Sequence, residues 1–360
     1  MSGRLLRLVC TTAMAATAAM AAGTVLAPRP ATAVPEPREP GSRSLPALLT
    51  DLQRLYREAE QATETYNATE EKLTRQRAET GRLEKELARA RLSLHDSRGA
   101  AGRLARQQYQ NTGDISPYVR LLLARDPQHA LDQGHVIGQV ARERAETVGR
   151  LAGTEKKAAG LARAARKALD NQLTLAARRK KTRDDVHRRL GDVEKLLASL
   201  TPEQLTALAA FEKDGVDKAQ KKLITSGTLN DDDNKPSAKG QRAVRYAVRQ
   251  IGKPYEWGAE GPRSYDCSGL TSEAWRNAGT PIPRTSQEQW AKLPKIPLRK
   301  LRPGDLVIYF PEATHVAMYV GKGKVVQAPR HGEKIKLSPL ASHPVLGAVR
   351  PDVRPSGARS

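Results

Sequence analysis

The sequence predicts an α+β domain at the C-terminal end, preceded by a long antiparallel α-helical hairpin. Three observations carry this. From about Leu45 to Leu200 the chain is dominated by Glu, Arg, Ala, Leu and Gln, with apolar residues recurring at helical spacing. Beyond about residue 240 Val, Ile, Tyr and Gly become frequent, and two helical stretches are followed by short strand-like runs. Finally, both Phe and all three Trp lie after position 210, so a well-filled core belongs to the last third.

The first 33 residues read as an export signal. Arg4 and Arg7 supply the positive start, an apolar stretch follows from about Thr11 to Leu26, and Ala31-Thr32-Ala33 gives the small-x-small cleavage pattern. A Pro-rich leader covers residues 34–44. The competing reading is an uncleaved membrane anchor, for which the apolar run is short. The two arginines are not adjacent, which favours the general secretory route, and Cys10 precedes the apolar region, unlike a lipoprotein cysteine. The expectation is a secreted, extracellular protein associated with the cell wall.

A coiled-coil region is expected over residues 45–224. In the first arm Leu83, Leu87, Ala90 and Leu94 keep a 4-3-4 spacing and share one stripe. Asn111-Thr112-Gly113-Asp114 signals a turn, Pro117 can open a short helix, and Asp126-Pro127 can close it around the apolar run Tyr118–Leu123. In the second arm Val186, Leu190, Val193, Leu197 and Leu200 form a heptad stripe, and Leu161, Ala165, Ala168 and Leu175 a weaker one interrupted by Gln172. A third helix is expected from Thr201-Pro202-Glu203 to about Ile224. The hairpin reads as a spacer and partner-binding device; a sharper alternative is a regulatory arm whose apolar tip docks a partner or its own active site.

Residues 225–239 form a polar linker. The domain expected over 240–351 has helices at Gly240–Ile251 and Cys267–Asn277 and strands at Asp305–Phe310, His315–Val320, Lys324–Gln327 and Val345–Arg350; residues 352–360 form a tail.

A formal net charge of +22 would point to nucleic acid in a cytosolic protein. Export replaces that partner with anionic wall polymers and lipid head groups. No aromatic-and-basic stripe, zinc-ligand cluster or phosphate-cradling loop is present, so no nucleic acid, metal or cofactor is expected. Removing the signal leaves Cys267 as the only thiol of two cysteines, either a buried structural residue or a nucleophile.

Cys267 stands in Tyr265-Asp266-Cys267-Ser268-Gly269-Leu270, with Asp266 a fitting N-cap. In the first helical turn the dipole and free N–H groups favour a thiolate and can support an oxyanion. Of the histidines past the linker, His315, His331 and His343, His315 opens a strand-like run. Gln327 lies on the next such run, and the Gly321-Lys322-Gly323 turn can bring it beside His315. An amide oxygen there can hold the imidazole tautomer. Singly, each fits a hydrogen-bonded core residue; together they fit a nucleophile, a base and its orienter.

Six pieces then occur in the order found in the NlpC/p60 cysteine peptidase family, which the region from about Gly240 to Pro351 resembles. They are Gly252–Gly258, Asp266–Leu270, Pro283-Arg284-Thr285-Ser286, Leu301–Leu306, His315–Gly321 and Gln327-Ala328-Pro329. The resemblance implies a compact papain-like fold and hydrolysis of peptide stems of peptidoglycan at the γ-D-glutamyl–diamino acid bond. It implies Cys267 as nucleophile, His315 as base and Gln327 as the orienting residue. It also implies Tyr255 at the oxyanion region, or else as a core aromatic, and Asp266 and Ser268 as recognising the amino end of the stem, or Asp266 as a helix cap. Two departures are Ala259, where a second Gly is common, and Gln327, where His is commoner; His331, in a loop, is kept as a substrate-side residue. The helical region resembles the arms of secreted wall hydrolases of cell division, which implies a membrane division complex as partner. Other readings are a wall-binding scaffold with a weakly active or inactive domain, and an N-acyl amidase or acyltransferase on the same fold.

Overall fold

The computed structural model describes residues 44–110, 119, 122–123, 126–229 and 234–353. The export signal, almost all of the leader, the turn signal at 111–114 with Pro117, and most of the tail lie outside these residues.

Two long helices, α1 (Leu45–Gln110) and α2 (Pro127–Ala198), run antiparallel. Their cross-links advance in opposite directions: Glu58 with Arg189, Glu70 with Arg179, Gln76 with the Ala168 carbonyl, and Arg98 with Glu155. Helix α3 (Pro202–Thr225) follows, with Pro at its first turn and a capping box in which the Thr201 hydroxyl accepts the Gln204 N–H and the Gln204 side chain accepts the Thr201 N–H.

Burial along the arms depends on how many neighbours each stretch has. At the base Leu48, Leu52, Val193 and Leu208 cluster where α3 adds a third helix, with Leu197 and Leu200 packed at their edge. Further along, Val186 and Leu190 bury against Ala59 and Ala62. In the first-arm stripe only Ala90 is buried, and Leu83, Leu87 and Leu94 are half-exposed. Two helices alone cannot enclose a stripe of leucines on every side.

The C-terminal domain sets α4 (Ala238–Val248), α5 (Cys267–Asn277) and α6 (Ser286–Lys292) against a six-stranded antiparallel sheet. Its strands are β1 (Lys295–Ile296), β2 (Leu306–Tyr309), β3 (His315–Gly321), β4 (Lys324–Gln327), β5 (Lys336–Pro339) and β6 (Val345–Val349), in spatial order β1-β6-β2-β3-β4-β5. Alternation along β2 shows how it is sandwiched. Leu306 and Ile308 join Leu270, Trp275, Val316 and Met318 on the side of α4 and α5. Val307 and Tyr309 join Tyr319, Val325 and Leu340 on the other, where Leu223 of α3 also packs. Both faces of the sheet are therefore covered, the second partly by the helical region.

The Gly321-Lys322-Gly323 turn between β3 and β4 has φ values of 100°, 53° and 64°, a left-handed path that glycine makes accessible. The domain's first helix begins at Ala238, inside the stretch expected to be linker, and ends at Val248 rather than Ile251. Three elements have no counterpart in the sequence reading: α6, β1 and β5. They are of two to seven residues and largely polar, too short for periodicity to reveal.

Candidate active site

The site is built where the start of α5 meets β3. Asp266 caps α5, its Oδ1 accepting the Gly269 N–H at 2.6 Å, which makes Cys267 the first helical residue. Gly269 is obligatory here, because a Cβ would collide with the Ala259 carbonyl. The Cys267 sulfur accepts the N–H of Val316, the residue after His315 on β3. His315 is fully buried, and its Nε2 donates to Gln327 Oε1 across the β3–β4 hairpin at 2.7 Å. Gln327 in turn donates to Ser342 Oγ at 3.4 Å. The structure thus brings Cys267, His315 and Gln327 together. His343 stacks edge-on against His315, with ring centroids 5.2 Å apart, whereas His331 sits in a loop with its Nε2 3.6 Å from Glu194 of α2.

Asp266 does more than cap the helix, and it is fully engaged. Besides Gly269 it accepts from the Gly258 N–H at 2.9 Å and from both terminal nitrogens of Arg284, at 3.0 and 2.7 Å. A carboxylate so occupied is a structural anchor, in keeping with the helix-cap reading of Asp266. Arg284 also donates to Ser268 Oγ at 2.8 Å. Tyr255 is buried, and its phenol is held well above its ordinary pKa by burial and by charge at Cys267 and Asp266, so it stays a neutral donor.

Helix α1 closes the site. Glu60 and Glu64, one turn apart, both point into it. Glu64 Oε1 accepts the Ser268 hydroxyl at 2.7 Å and lies 3.7 Å from Cys267 Sγ, and its Oε2 accepts the Ser286 N–H at 2.9 Å. Glu60 Oε1 lies 3.2 Å from His315 Nδ1, an ion-pair approach rather than an aligned hydrogen bond. One turn beyond Glu64, Asn67 donates to Asp266 at 3.0 Å, and Tyr66 packs edge-on against Trp257 at 5.0 Å. Helix α3 adds a two-pronged ion pair between Glu212 and Arg330, at 3.0 and 3.1 Å.

These contacts set the protonation of the site. Burial and the carboxylates of Glu64, Asp266 and Glu60 push the Cys267 thiol well above its ordinary pKa, with the Val316 N–H a smaller opposing influence. Burial beside three acids thus favours the thiol here, against the preference for a thiolate that a helix N-terminus supplies. Burial works against charge on His315, but Glu60, with help from Gln327 and Glu64, raises it above its ordinary value. Glu64 is pushed up to about 7 by burial and by Asp266, against the pull of Arg284, Ser268 and the Ser286 N–H.

The stretch of the helical region that meets the site is not the apolar run near the bend. The stretch that enters is Glu60–Asn67 near the base of α1, while Val119, Leu122 and Leu123 near the bend are exposed. Neither acid carried a sequence signal, being two glutamates among many in a polar arm. Arg284 lay inside a quoted motif without a role, and a lone arginine between Pro283 and a helix cap is the signal that could have flagged it.

Residues 252–348 match the NlpC/P60 family. A probable endopeptidase of Corynebacterium glutamicum is 43% identical over 111 residues, covering 31% of this chain and 53% of that protein. Murein DD-endopeptidase MepH of Escherichia coli is 39% identical over 132 residues, covering 33% of this chain and 48% of that protein. The chain thus spans about half the length of these curated relatives. The solved NlpC/p60 domain of the peptidoglycan hydrolase SagA is 31% identical, covering 31% of this chain and 97% of that one, with a TM-score of 0.29.

Proposed function

From a chain whose residues 252–348 form an NlpC/P60 domain, we propose a secreted cell-wall hydrolase that cuts peptide stems of peptidoglycan through a Cys267 thioester. The observation that carries this reading is the assembly of Cys267, beside the Val316 N–H, with a His315 whose Nε2 is held by Gln327 at 2.7 Å.

The steps follow from those atoms. With α1 withdrawn, His315 takes the thiol proton while Cys267 Sγ attacks the stem carbonyl. The oxyanion that forms is met by N–H groups at the start of α5 and by the neutral Tyr255 hydroxyl. Collapse breaks the C–N bond, and the imidazolium gives its proton to the leaving amine. Water, deprotonated by His315, then splits the thioester, freeing a carboxylic acid and the thiol. The bond assigned is γ-D-glutamyl to a diamino acid. The partners assigned are peptidoglycan stems, anionic wall polymers for the basic arms, and a membrane division complex for the exposed apolar residues near the bend.

The test is mass spectrometry of muropeptides digested by the full chain carrying Glu60→Ala and Glu64→Ala, which clears α1 from the cleft, beside the same chain with Cys267→Ala. Cleavage at the glutamyl bond that needs the thiol supports the reading; cleavage at the glycan–peptide junction or acyl transfer to another amine would replace it. In the same background Gln327→Ala is expected to lower kcat roughly tenfold to a hundredfold with little change in KM, since a neutral orienter fixes the tautomer without adding charge. An unchanged kcat would remove Gln327 from the mechanism.

A further inference from the structure

We propose that Ser342 and Tyr309 are positioning residues: with a main-chain carbonyl they form a one-way hydrogen-bond relay that decides which end of the Gln327 amide faces His315, and so which ring nitrogen of His315 stays free to take the Cys267 proton. The proposal rests on the hydrolase reading above and deepens its mechanism.

The need for such a device comes from the amide itself. A carboxylate presents oxygen whichever way it turns, but the two ends of a Gln side chain have nearly the same shape and opposite hydrogen-bonding character. Packing alone cannot tell them apart. With Oε1 toward His315, the ring must donate from Nε2, which leaves Nδ1 as the basic nitrogen. Nε2 meets Oε1 at 2.7 Å, and Nδ1 is buried with no hydrogen-bond donor spent on it. With the amide turned over, its N–H would demand the Nε2 lone pair. The ring proton would then sit on Nδ1, and the imidazole would present N–H where it has to accept.

The contacts beyond Gln327 exclude that second arrangement. Gln327 Nε2 donates to Ser342 Oγ at 3.4 Å, in the turn Leu340–Ser342 before β6. Ser342 hydrogen-bonds the oxygen of the Tyr309 phenol, and the phenol donates to the Leu340 carbonyl at 3.0 Å. Burial pushes Tyr309 above its ordinary pKa, so it keeps the proton it donates. A hydroxyl can face either way, whereas a carbonyl only accepts. The carbonyl therefore sets the sense of the whole series. Tyr309 must donate to it, Ser342 to Tyr309, Gln327 to Ser342, and His315 to Gln327.

The path also closes on itself. It leaves β3 at His315, crosses β4 and the turn before β6, and returns to Tyr309 of β2, which pairs with His315 in the sheet, ring centroids 5.7 Å apart. His315, Gln327 and Tyr309 are all buried, so no bulk water is at hand to satisfy a reversed member. Ser342 and Tyr309 act through Gln327 and not on the reacting atoms.

The test takes the full chain with Glu60→Ala and Glu64→Ala as parent and adds Ser342→Ala, Ser342→Thr or Tyr309→Phe. The first readout is nitrogen NMR of isotope-labelled histidine at about pH 9, where the imidazoles are neutral and protonated and bare ring nitrogens are well separated. His315→Asn assigns the signals. The parent is expected to show His315 as the Nε2–H tautomer, retained in Ser342→Thr, which keeps the hydroxyl. Ser342→Ala and Tyr309→Phe are expected to show a mixture with the Nδ1–H form. The second readout is muropeptide cleavage. Ser342→Ala and Tyr309→Phe should lower kcat about threefold to thirtyfold with KM within about twofold, and Ser342→Thr should recover most of the loss. In a Gln327→Glu chain, where either orientation presents oxygen, the loss on Ser342→Ala should shrink. An unchanged His315 tautomer in Ser342→Ala and Tyr309→Phe would overturn the relay, even with a lower kcat. A shifted tautomer in chains that cleave no muropeptide would uphold the relay and count against the hydrolase reading alone.

Discussion

Cys267→Ala in the arm-released chain is expected to reduce muropeptide cleavage by about 10,000-fold or more, to the level of a protein that binds without reacting. The size follows from the absence of a substitute. Ser268, the neighbouring hydroxyl, is committed to Glu64 and Arg284 in the closed form and stands beside the guanidinium rather than a base. The change spares the scaffold, because Asp266 caps α5 through the Gly269 N–H and Cys267 contributes no part of that cap. Binding of stems should therefore survive while turnover does not, and a co-sedimentation assay separates the two. A residual rate within about tenfold of the parent would sink the thioester mechanism.

Arg284→Met is expected to destabilise the protein by about 3–5 kcal/mol, read as a lower urea midpoint at unchanged slope. The side chains of Arg284 and Asp266 are 7% and 0% exposed, and their paired hydrogen bonds are 3.0 and 2.7 Å. Removing the guanidinium leaves the Asp266 carboxylate buried without its cation, although the N–H groups of Gly258 and Gly269 and the Asn67 amide remain as donors. Lysine should recover only part of the loss, because a single ammonium cannot reproduce the fork. Adding Asp266→Asn to Arg284→Met should recover more, since it removes the stranded charge. A loss below about 1 kcal/mol would mean that water reaches this pair.

How much of this was legible in the sequence depended on the length scale of each feature. Helix α5 runs over Cys267–Asn277, the range read from Asp266 and the Ala278-Gly279 stop. Strands β3 and β4 carry His315 and Gln327 as their apolar runs indicate, because a buried strand and a two-glycine turn both leave local marks. The approach of Glu60 and Glu64 left none. Their partners lie more than two hundred residues away, and only the docking of α1 distinguishes them from solvated glutamates. The same docking adds to the burial and acidic surroundings that push the Cys267 thiol up, a property of the assembled site that a helix N-terminus alone does not dictate.

The covalent continuity between α1 and the domain it covers has a consequence for competition. Both sit in one chain, joined through α2, α3 and the short segment before α4, so the local concentration of α1 at the cleft is fixed by geometry. Dilution, which dissociates a separate inhibitor, leaves this one seated. A ligand of the cleft would have to rival that concentration to displace it, and a cut anywhere between Gln110 and Pro127 would not free α1 while its contacts hold. Coverage of the cleft by α1 is thus independent of how concentrated the protein is.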